Sequence, residues 1–124
     1  MALEEYLGAV VLEIDGLEVE IADYSVKKKT GRKLVKTMNK TGHAKGFSRG
    51  MAEYDINIAA IIPLKGDIDW MAIEGSKLTI YPIVAGEQRI SYLDCFTIEV
   101  SEKYSVDNEA RRDISMGAMR EVTE

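Results

Sequence analysis

Cysteine and histidine are almost absent from this 124-residue sequence, which contains one of each, Cys95 and His43. A single cysteine excludes an internal disulfide, which is compatible with a reducing cytoplasm. A zinc site would have to rely on carboxylates, and a Cys95–His43 nucleophile pair has no supporting motif. We therefore expect no metal or cofactor site. We expect His43 to be a solvated loop residue and Cys95 to be a small buried apolar residue.

Long apolar runs and catalytic signatures are missing too. No apolar stretch approaches the roughly 20 residues of a membrane helix. The start of the chain lacks the basic and apolar regions of a signal peptide, so we expect a soluble product made in the cytoplasm. No G-x-S-x-G motif occurs, and the glycines between positions 42 and 46 do not form a P-loop. Acid pairs such as Asp67/Asp69 are common on solvated surfaces, so we expect no catalytic residue.

Acidic residues are absent from one segment, residues 27–50, which reads KKKTGRKLVKTMNKTGHAKGFSRG. It contains nine of the 16 basic residues, so the rest of the chain holds seven basic residues against 21 acidic ones. The segment also contains four glycines and few large apolar side chains. Such a stretch cannot bury enough apolar surface to fold by itself. We expect a second copy of the chain to hold it.

The first half of the chain has the pattern of strands. An apolar run at 8–14 ends at Asp15-Gly16, a strong hairpin signal, and residues 17–21 alternate apolar and acidic. Thr30-Gly31 can reverse the chain, which predicts a second hairpin of Tyr24–Lys29 with Lys33–Met38. Residues 39–50 then form an irregular loop. Alternation returns in Met51–Ile62 and stops at Pro63.

The second half adds a short helix and more strands. Asp67 is suited to an N-cap, which predicts a two-turn α-helix over Ile68–Glu74 that ends at Gly75. Further strands are predicted over 78–84, 88–104 and 112–122, separated by turns at Ala85-Gly86 and Asp107-Asn108. A bulge is expected at residues 93–95, where the alternation breaks. The length fits one domain over residues 1–124. About seven strands with one flanking helix predict a mainly β fold, a sandwich or small barrel.

Three interpretations of the basic segment compete. It is a solvated loop, a nucleic-acid-binding arm, or an assembly arm that docks on the acidic surface of a neighbouring copy. Aromatic stacking groups are scarce for the second interpretation, because Phe47 is the only one in the segment. In the third interpretation, open sheet edges would enlarge the contact between copies by strand addition.

The chain resembles the tail tube proteins of contractile-tailed bacteriophages, most closely those of Mu type. The resemblance covers nearly the whole length: a strand pair, a long polar arm, the strand MAEYDINIAAIIPL, a short helix at DIDWMAIEG and the strand KLTIYPIV. Its most specific part is the C-terminal hairpin RISYLDCFTIEVSEKYSVDNEARRDISMGAMRE. The tubes of type VI secretion systems and of phage-derived bacteriocins share this fold, so they remain alternatives, as does a small nucleic-acid-binding β module.

The resemblance implies a structural virion protein and not an enzyme. Six subunits close a ring, their sheets join into one barrel, and the rings stack into a tube through which DNA is ejected. The implied partners are further copies of the chain, the sheath, baseplate and terminator proteins, and the tape measure protein and DNA in the lumen. Assembly takes place in the host bacterial cytoplasm and the product resides in the virion tail.

Particular residues follow from this resemblance together with the charge pattern. We expect inter-ring contacts from the basic segment, namely Lys27, Arg32, Lys36, Lys40, Lys45, Phe47 and Arg49. A tube that carries DNA should present negative charge to it, because like charges let DNA slide without sticking. We therefore expect four acids of the alternating strands to line the lumen: Glu18, Glu20, Glu53 and Asp55.

Overall fold

The chain, seen in a computed structural model that describes residues 3–83 and 88–123, is almost entirely β structure. Its strands are β1 (Val10–Ile14), β2 (Leu17–Val19), β3 (Ile21–Lys29), β4 (Arg32–Val35), β5 (Gly46–Arg49), β6 (Glu53–Ile61), β7 (Glu74–Pro82), β8 (Ile90–Lys103), β9 (Arg111–Ala118) and β10 (Arg120–Thr123). The predicted mainly β class is confirmed. No helix in the described ranges is long and apolar enough to cross a membrane.

One antiparallel sheet contains most of these strands, in the order β2-β1-β7-β8-β9-β6-β3, with β10 paired to β8. The two ends of this order, β2 and β3, are separated in sequence by Glu20 alone. Ile61 N also donates a hydrogen bond to Glu20 O at 3.1 Å. The sheet therefore curls so that β2 and the start of β3 approach each other, and it forms a half-barrel.

The core lies on the concave face of this curled sheet. Alternation in β6 buries Ile56 and Ile58 and turns Glu53 and Asn57 to the opposite face. The largest fully buried apolar side chains are Leu12, Ile56, Ile58, Leu78, Ile114 and Met116. Each contributes about 1.5–3 kcal/mol through burial, so the alternating pattern determines which way the strands face.

Two local predictions are confirmed. Asp15 and Gly16 connect β1 to β2 with φ angles of 51° and 86°, as a type I′ hairpin turn requires. In β8, Asp94 has a φ of 56° and the pairing with β7 shifts register at this point. The bulge rotates the strand so that Cys95 points into the core, where it is fully buried.

The predicted α-helix over Ile68–Glu74 is wrong. The structure has only a 3₁₀ turn, Trp70–Ala72, preceded by Asp69 without a side-chain cap. Ile73 already adopts extended backbone, and its carbonyl accepts a hydrogen bond from Thr97 N at 3.3 Å. The sheet therefore uses the backbone groups that a second helical turn would need.

The second predicted hairpin, Tyr24–Lys29 with Lys33–Met38, is also wrong. β3 pairs along its length with β6, and β4 pairs with β5. Pairing with β6 lets Tyr24 and Val26 pack against the core, whereas every residue of β4 is exposed and lies outside the core. The residues predicted to form a loop, 39–50, include β5.

The C-terminal strand, predicted as one element over 112–122, is divided at Met119, whose N–H donates to Leu93 O at 3.1 Å. The predicted turn at Ala85-Gly86 lies outside the described residues.

Candidate assembly surfaces

The basic segment forms a hairpin that is separate from the main sheet. β4 and β5 make their own two-stranded sheet, and every residue of both strands is exposed. The first three lysines of the segment, Lys27 to Lys29, belong instead to β3. The projecting part, called the arm from here on, therefore comprises residues 30–52.

Asn39 organises the loop of the arm. Its Nδ2 donates hydrogen bonds to His43 O at 2.8 Å and to Thr37 O at 3.2 Å, and its Oδ1 accepts one from Thr41 N at 3.0 Å. His43 is exposed, as predicted for a solvated loop residue. Sequence reasoning missed Asn39, although an Asn whose side chain can bond the backbone two residues on, in Asn-Lys-Thr-Gly, is the usual pattern of an Asx turn.

Two glycines form the neck of the arm. Gly50 N donates to Gly31 O at 2.8 Å, and Gly31 has a φ of 81°. A Cβ on Gly31 would lie 2.3 Å from Met51 O. Both the backbone conformation and the lack of space thus require glycine here.

One face of the arm combines apolar and cationic groups. Leu34 lies opposite Phe47, and Arg32 lies opposite Arg49; with a period of two, all four side chains share one face. The Arg49 guanidinium lies 5.3 Å from the Phe47 ring centroid. Leu34 and Phe47 are 61% and 56% exposed. This surface, the arm face, has the aromatic and arginine content typical of protein interfaces.

Four strands of the main sheet, in the order β8-β9-β6-β3, leave two edges open. Within the described residues β3 pairs only with β6. The pairing of β7 with β8 ends at Phe96, so among the described strands the later part of β8 pairs only with β9. The β3 edge carries Lys27, Lys28 and Lys29, whereas the β8 edge carries Glu99 and Glu102. These edges have unpaired backbone groups and opposite charges.

The outward side of these four strands, called the polar face, consists mainly of small and polar residues. By register it comprises Asp23, Ser25, Lys27 and Lys29 of β3; Glu53, Asp55, Asn57, Ala59 and Ile61 of β6; Arg111, Asp113, Ser115 and Gly117 of β9; and Phe96, Glu99, Ser101 and Lys103 of β8. Ser115 Oγ donates to Asn57 Oδ1 at 3.1 Å. Lys29 Nζ lies 3.3 Å from Asp55 and 4.0 Å from Glu53, so these two acids are partly neutralised.

The structure divides the four acids predicted to line a lumen into two pairs. Glu53 and Asp55 lie together on the polar face. Glu18 lies on β2, opposite Glu13 of β1, and Glu20 follows β2 directly. Glu18, Glu53 and Asp55 point away from the core, but Glu18 and Glu20 lie at the β2 end of the sheet and not on the strands β8-β9-β6-β3. Alternation predicted that all four are exposed but carried no information on which half of the sheet each belongs to.

Arg112 is a buried charge that sequence reasoning assigned no role. Its guanidinium donates two hydrogen bonds to the Asp67 carboxylate, both at 2.9 Å, and its Nε lies 3.7 Å from Glu102 Oε1. The guanidinium holds the pKa of Asp67 below its usual value. Asp67 is therefore not the predicted N-cap; it anchors the loop between β6 and the 3₁₀ turn onto β9.

Reactive groups do not converge in the described part of the chain. Burial raises the pKa of the Cys95 thiol to about 11, so the thiolate needed for nucleophilic chemistry does not form near neutral pH. Within residues 3–83 and 88–123, no three His, Cys, Asp or Glu side chains are placed to hold a metal ion.

Solved structures with the same architecture span nearly the whole chain. An extracellular contractile injection system's "PVC sheath/tube terminator in extended state" aligns with a TM-score of 0.76 and 13% identity over 99% of both chains. The SPP1 tail tube aligns with a TM-score of 0.70 and 13% identity over 93% of this chain and 76% of that one. The chain has the tail tube fold.

A third tail structure agrees with this assignment. The tail of an empty gene transfer agent particle, refined with C6 symmetry, aligns with a TM-score of 0.64 and 12% identity over 93% of this chain and 92% of that one. No protein-family model and no curated protein matches the sequence. At these identities the comparisons establish the fold alone, so any role has to be argued from the surfaces of this chain.

Proposed function

We propose that this chain is the tail tube protein of a contractile-tailed phage, a structural virion component without catalytic activity. Six copies close a ring, and rings stack into the tube through which DNA leaves the particle. The observation that carries the proposal is the four-stranded sheet β8-β9-β6-β3 with its two open edges. The tail tube fold and the C6 symmetry of one similar tail support it.

The two edges are suited to join copies into a ring. Neighbouring strands in this sheet alternate in direction, so β8 and β3 run in opposite directions. The β3 edge of one copy therefore meets the β8 edge of the next in antiparallel fashion. Such a head-to-tail contact closes into a ring when its rotation allows, and closure removes exposed edges.

The polar face then becomes the wall of the lumen. When the sheets join into one barrel, the apolar side of each sheet is covered by its own core, so the polar side faces the channel. This assigns Glu53 and Asp55 to the lumen, together with three acids that sequence reasoning did not propose, Asp23, Glu99 and Asp113. Since Glu18 and Glu20 are not on this face, they are not part of the proposed lumen.

The arm is proposed to form the contacts between rings, through Arg32, Lys36, Lys40, Lys45, Phe47 and Arg49. Lys27, which was predicted to belong to this set, lies on the polar face opposite Asp55 and is assigned to the lumen wall.

The further proposed partners are the sheath, baseplate, terminator and tape measure proteins, with assembly in the host cytoplasm before incorporation into the virion tail. The structural similarity to a sheath/tube terminator supports the sheath and terminator proteins as partners.

Sedimentation velocity and negative-stain electron microscopy of the purified chain test this proposal. We expect rings at moderate concentration and tubes at high concentration. A chain that stays monomeric at every concentration and salt would contradict the tube assignment and favour a solitary binding module. A nucleic-acid-binding module would instead bind duplex DNA with an affinity that falls steeply as salt rises.

A tube terminator is the second candidate, because the structure that aligns with a TM-score of 0.76 is a sheath/tube terminator. A terminator needs one end that docks on a tube, whereas a tube protein needs two complementary ends. Micrographs separate the two roles: a terminator forms single rings at all concentrations, and a tube protein forms tubes that lengthen with concentration.

A further inference from the structure

We infer that the arm face of one copy docks in a cleft at the opposite end of the sheet of a copy in the next ring. The cleft lies between β2 and the loop that follows β6. This inference rests on the proposed tube function and identifies the surface that receives the arm.

Strand directions place the arm and the cleft at opposite ends of the molecule. β3 runs toward the arm and β6 runs away from it, so the arm projects from the end where β3 finishes and β6 starts. The turn at Asp15-Gly16, residue Glu20 and the loop after Ile61 lie at the other end, where Ile61 N bonds to Glu20 O. A contact between these two ends joins copies in a line, because donor and acceptor surfaces differ.

The cleft at this far end combines apolar groups with three acids and one lysine. It has a volume of about 170 Å³, and its lining includes Leu17, Pro63, Ile68 and Trp70 together with Glu18, Glu20, Asp67 and Lys65. Leu17 is 58% exposed although it lies in a strand. In the described part of the chain neither Glu18 nor Glu20 has an ion-pair partner.

The arm face has the complementary arrangement. Leu34 and Phe47 form an apolar centre, and Arg32 and Arg49 stand beside it. Arginine binds carboxylates through two parallel hydrogen bonds, so Arg32 and Arg49 match Glu18 and Glu20. The arm face begins directly beyond the Gly31–Gly50 neck, so it stands at the end of the molecule from which the arm projects.

Cysteine cross-linking tests the docking. A Leu17→Cys/Phe47→Cys variant, assembled and then oxidised, should give a ladder of covalent multimers on a denaturing gel, because each copy donates one arm and accepts another. Cys95 is buried and does not compete. The matched control is Val106→Cys/Phe47→Cys: Val106 is fully exposed at the same end but outside the cleft, and it should give no ladder. If Phe47→Cys blocks assembly, Leu34→Cys takes its place on the same face.

Charge reversal gives an independent test. Glu18→Arg/Glu20→Arg and Arg32→Glu/Arg49→Glu should each form rings but no tubes, and the variant that combines all four changes should form tubes again. Two results would overturn the docking and leave the tube function standing. In the first, the wild type forms tubes but the Leu17→Cys/Phe47→Cys variant gives no ladder. In the second, the charge-reversed variants form tubes of wild-type length. A wild-type chain that forms neither rings nor tubes would instead overturn the tube function itself.

Discussion

The thiol of Cys95 tests the packing of the core at the level of one residue. It is fully buried, and burial raises its pKa to about 11. We expect no reaction with iodoacetamide at neutral pH in the native protein, and complete reaction in guanidinium. Val106→Cys, at a fully exposed position, is the control that should be labelled rapidly in the native state. Native labelling of Cys95 at that same rate would contradict the bulged path of β8.

Glu121 should make stability depend on pH in the acid range. Lys28 Nζ lies 2.6 Å from Glu121 Oε2, and the Lys28 ammonium holds the pKa of Glu121 below its usual value of 4.5. A lowered carboxyl pKa in the folded state adds stability that is complete above the unfolded pKa. That stability is lost as the pH falls below about 4.5.

The matched variant for this pair is Glu121→Gln. We expect it to be less stable than the wild type at pH 7 by up to about 1 kcal/mol, since the pair is only partly buried. The difference should shrink as the pH falls below about 4.5. Thermal unfolding followed by circular dichroism measures both proteins across this range. A difference that is constant with pH would show that the ion pair adds nothing to the stability of β3.

Single residues were predictable from the sequence where a local pattern was sufficient. The Asp15-Gly16 turn depends on two adjacent residues, and the burial of Cys95 follows from a strand pattern. Asp67 had an equally good local signal as an N-cap, yet it binds Arg112, 45 residues away. A contact at that separation has no periodic signature, so sequence reasoning had no means of finding it.

The neck of the arm should be sensitive to a single methyl group. Gly31→Ala would place a Cβ 2.3 Å from a backbone oxygen at a positive φ, so the neck must open. Because the arm is exposed, we expect the stability of the main sheet to change by less than about 0.5 kcal/mol, while tube formation is lost. Gly46→Ala is the matched control, because its Cβ meets no atom within 4 Å, and it should assemble normally. Unchanged tubes with Gly31→Ala would show that the arm orientation is unimportant.

Removing Asn39–Phe47 tests the arm as a whole. The segment contains no fully buried side chain, so the deleted protein should keep the circular dichroism spectrum and melting temperature of the wild type. It should form rings, because the edges of β3 and β8 are intact, but no tubes. Electron micrographs that show tubes of the deleted protein would mean that other surfaces stack the rings.

At the level of elements, the sequence predicted strands well and their partners poorly. The alternation in β6 and the long pattern of β8 were strong signals, and both strands are present. The hairpin assigned to β3 was wrong because a turn signal at Thr30-Gly31 favoured the nearest partner. The real partner, β6, is 24 residues or more further along and is selected by shared burial, which only the folded core defines.

The whole molecule places its charges in ways that composition cannot show. The division between a basic segment and an acidic remainder was readable from the sequence. The division of the acids between a polar face and a far-end cleft was not, because it depends on the curl of the sheet. Two carboxylates with the same local pattern, Glu18 and Asp55, therefore receive different proposed roles.

The last prediction concerns the charge of the lumen. Asp23 and Asp113 lie on the polar face, two strands apart and level with each other, and neither has an ion pair within the described residues. Asp23→Lys/Asp113→Lys should leave folding nearly intact, because exposed substitutions usually cost within about 0.5 kcal/mol. A ring repeats each change in every copy, so the lumen wall would change from repelling phosphates to attracting them.

Tubes of this variant should retain duplex DNA, with an affinity that falls as salt rises, and particles that contain them should release DNA slowly. Glu53→Lys/Asp55→Lys is the matched comparison. Those acids pair with Lys29 in the native protein, but the change in charge is the same as in Asp23→Lys/Asp113→Lys, so release should slow to a similar extent. Equal release from wild-type and Asp23→Lys/Asp113→Lys particles would place the polar face outside the channel. The proposed ring, in which joined β3 and β8 edges turn this face to the channel, would then be wrong.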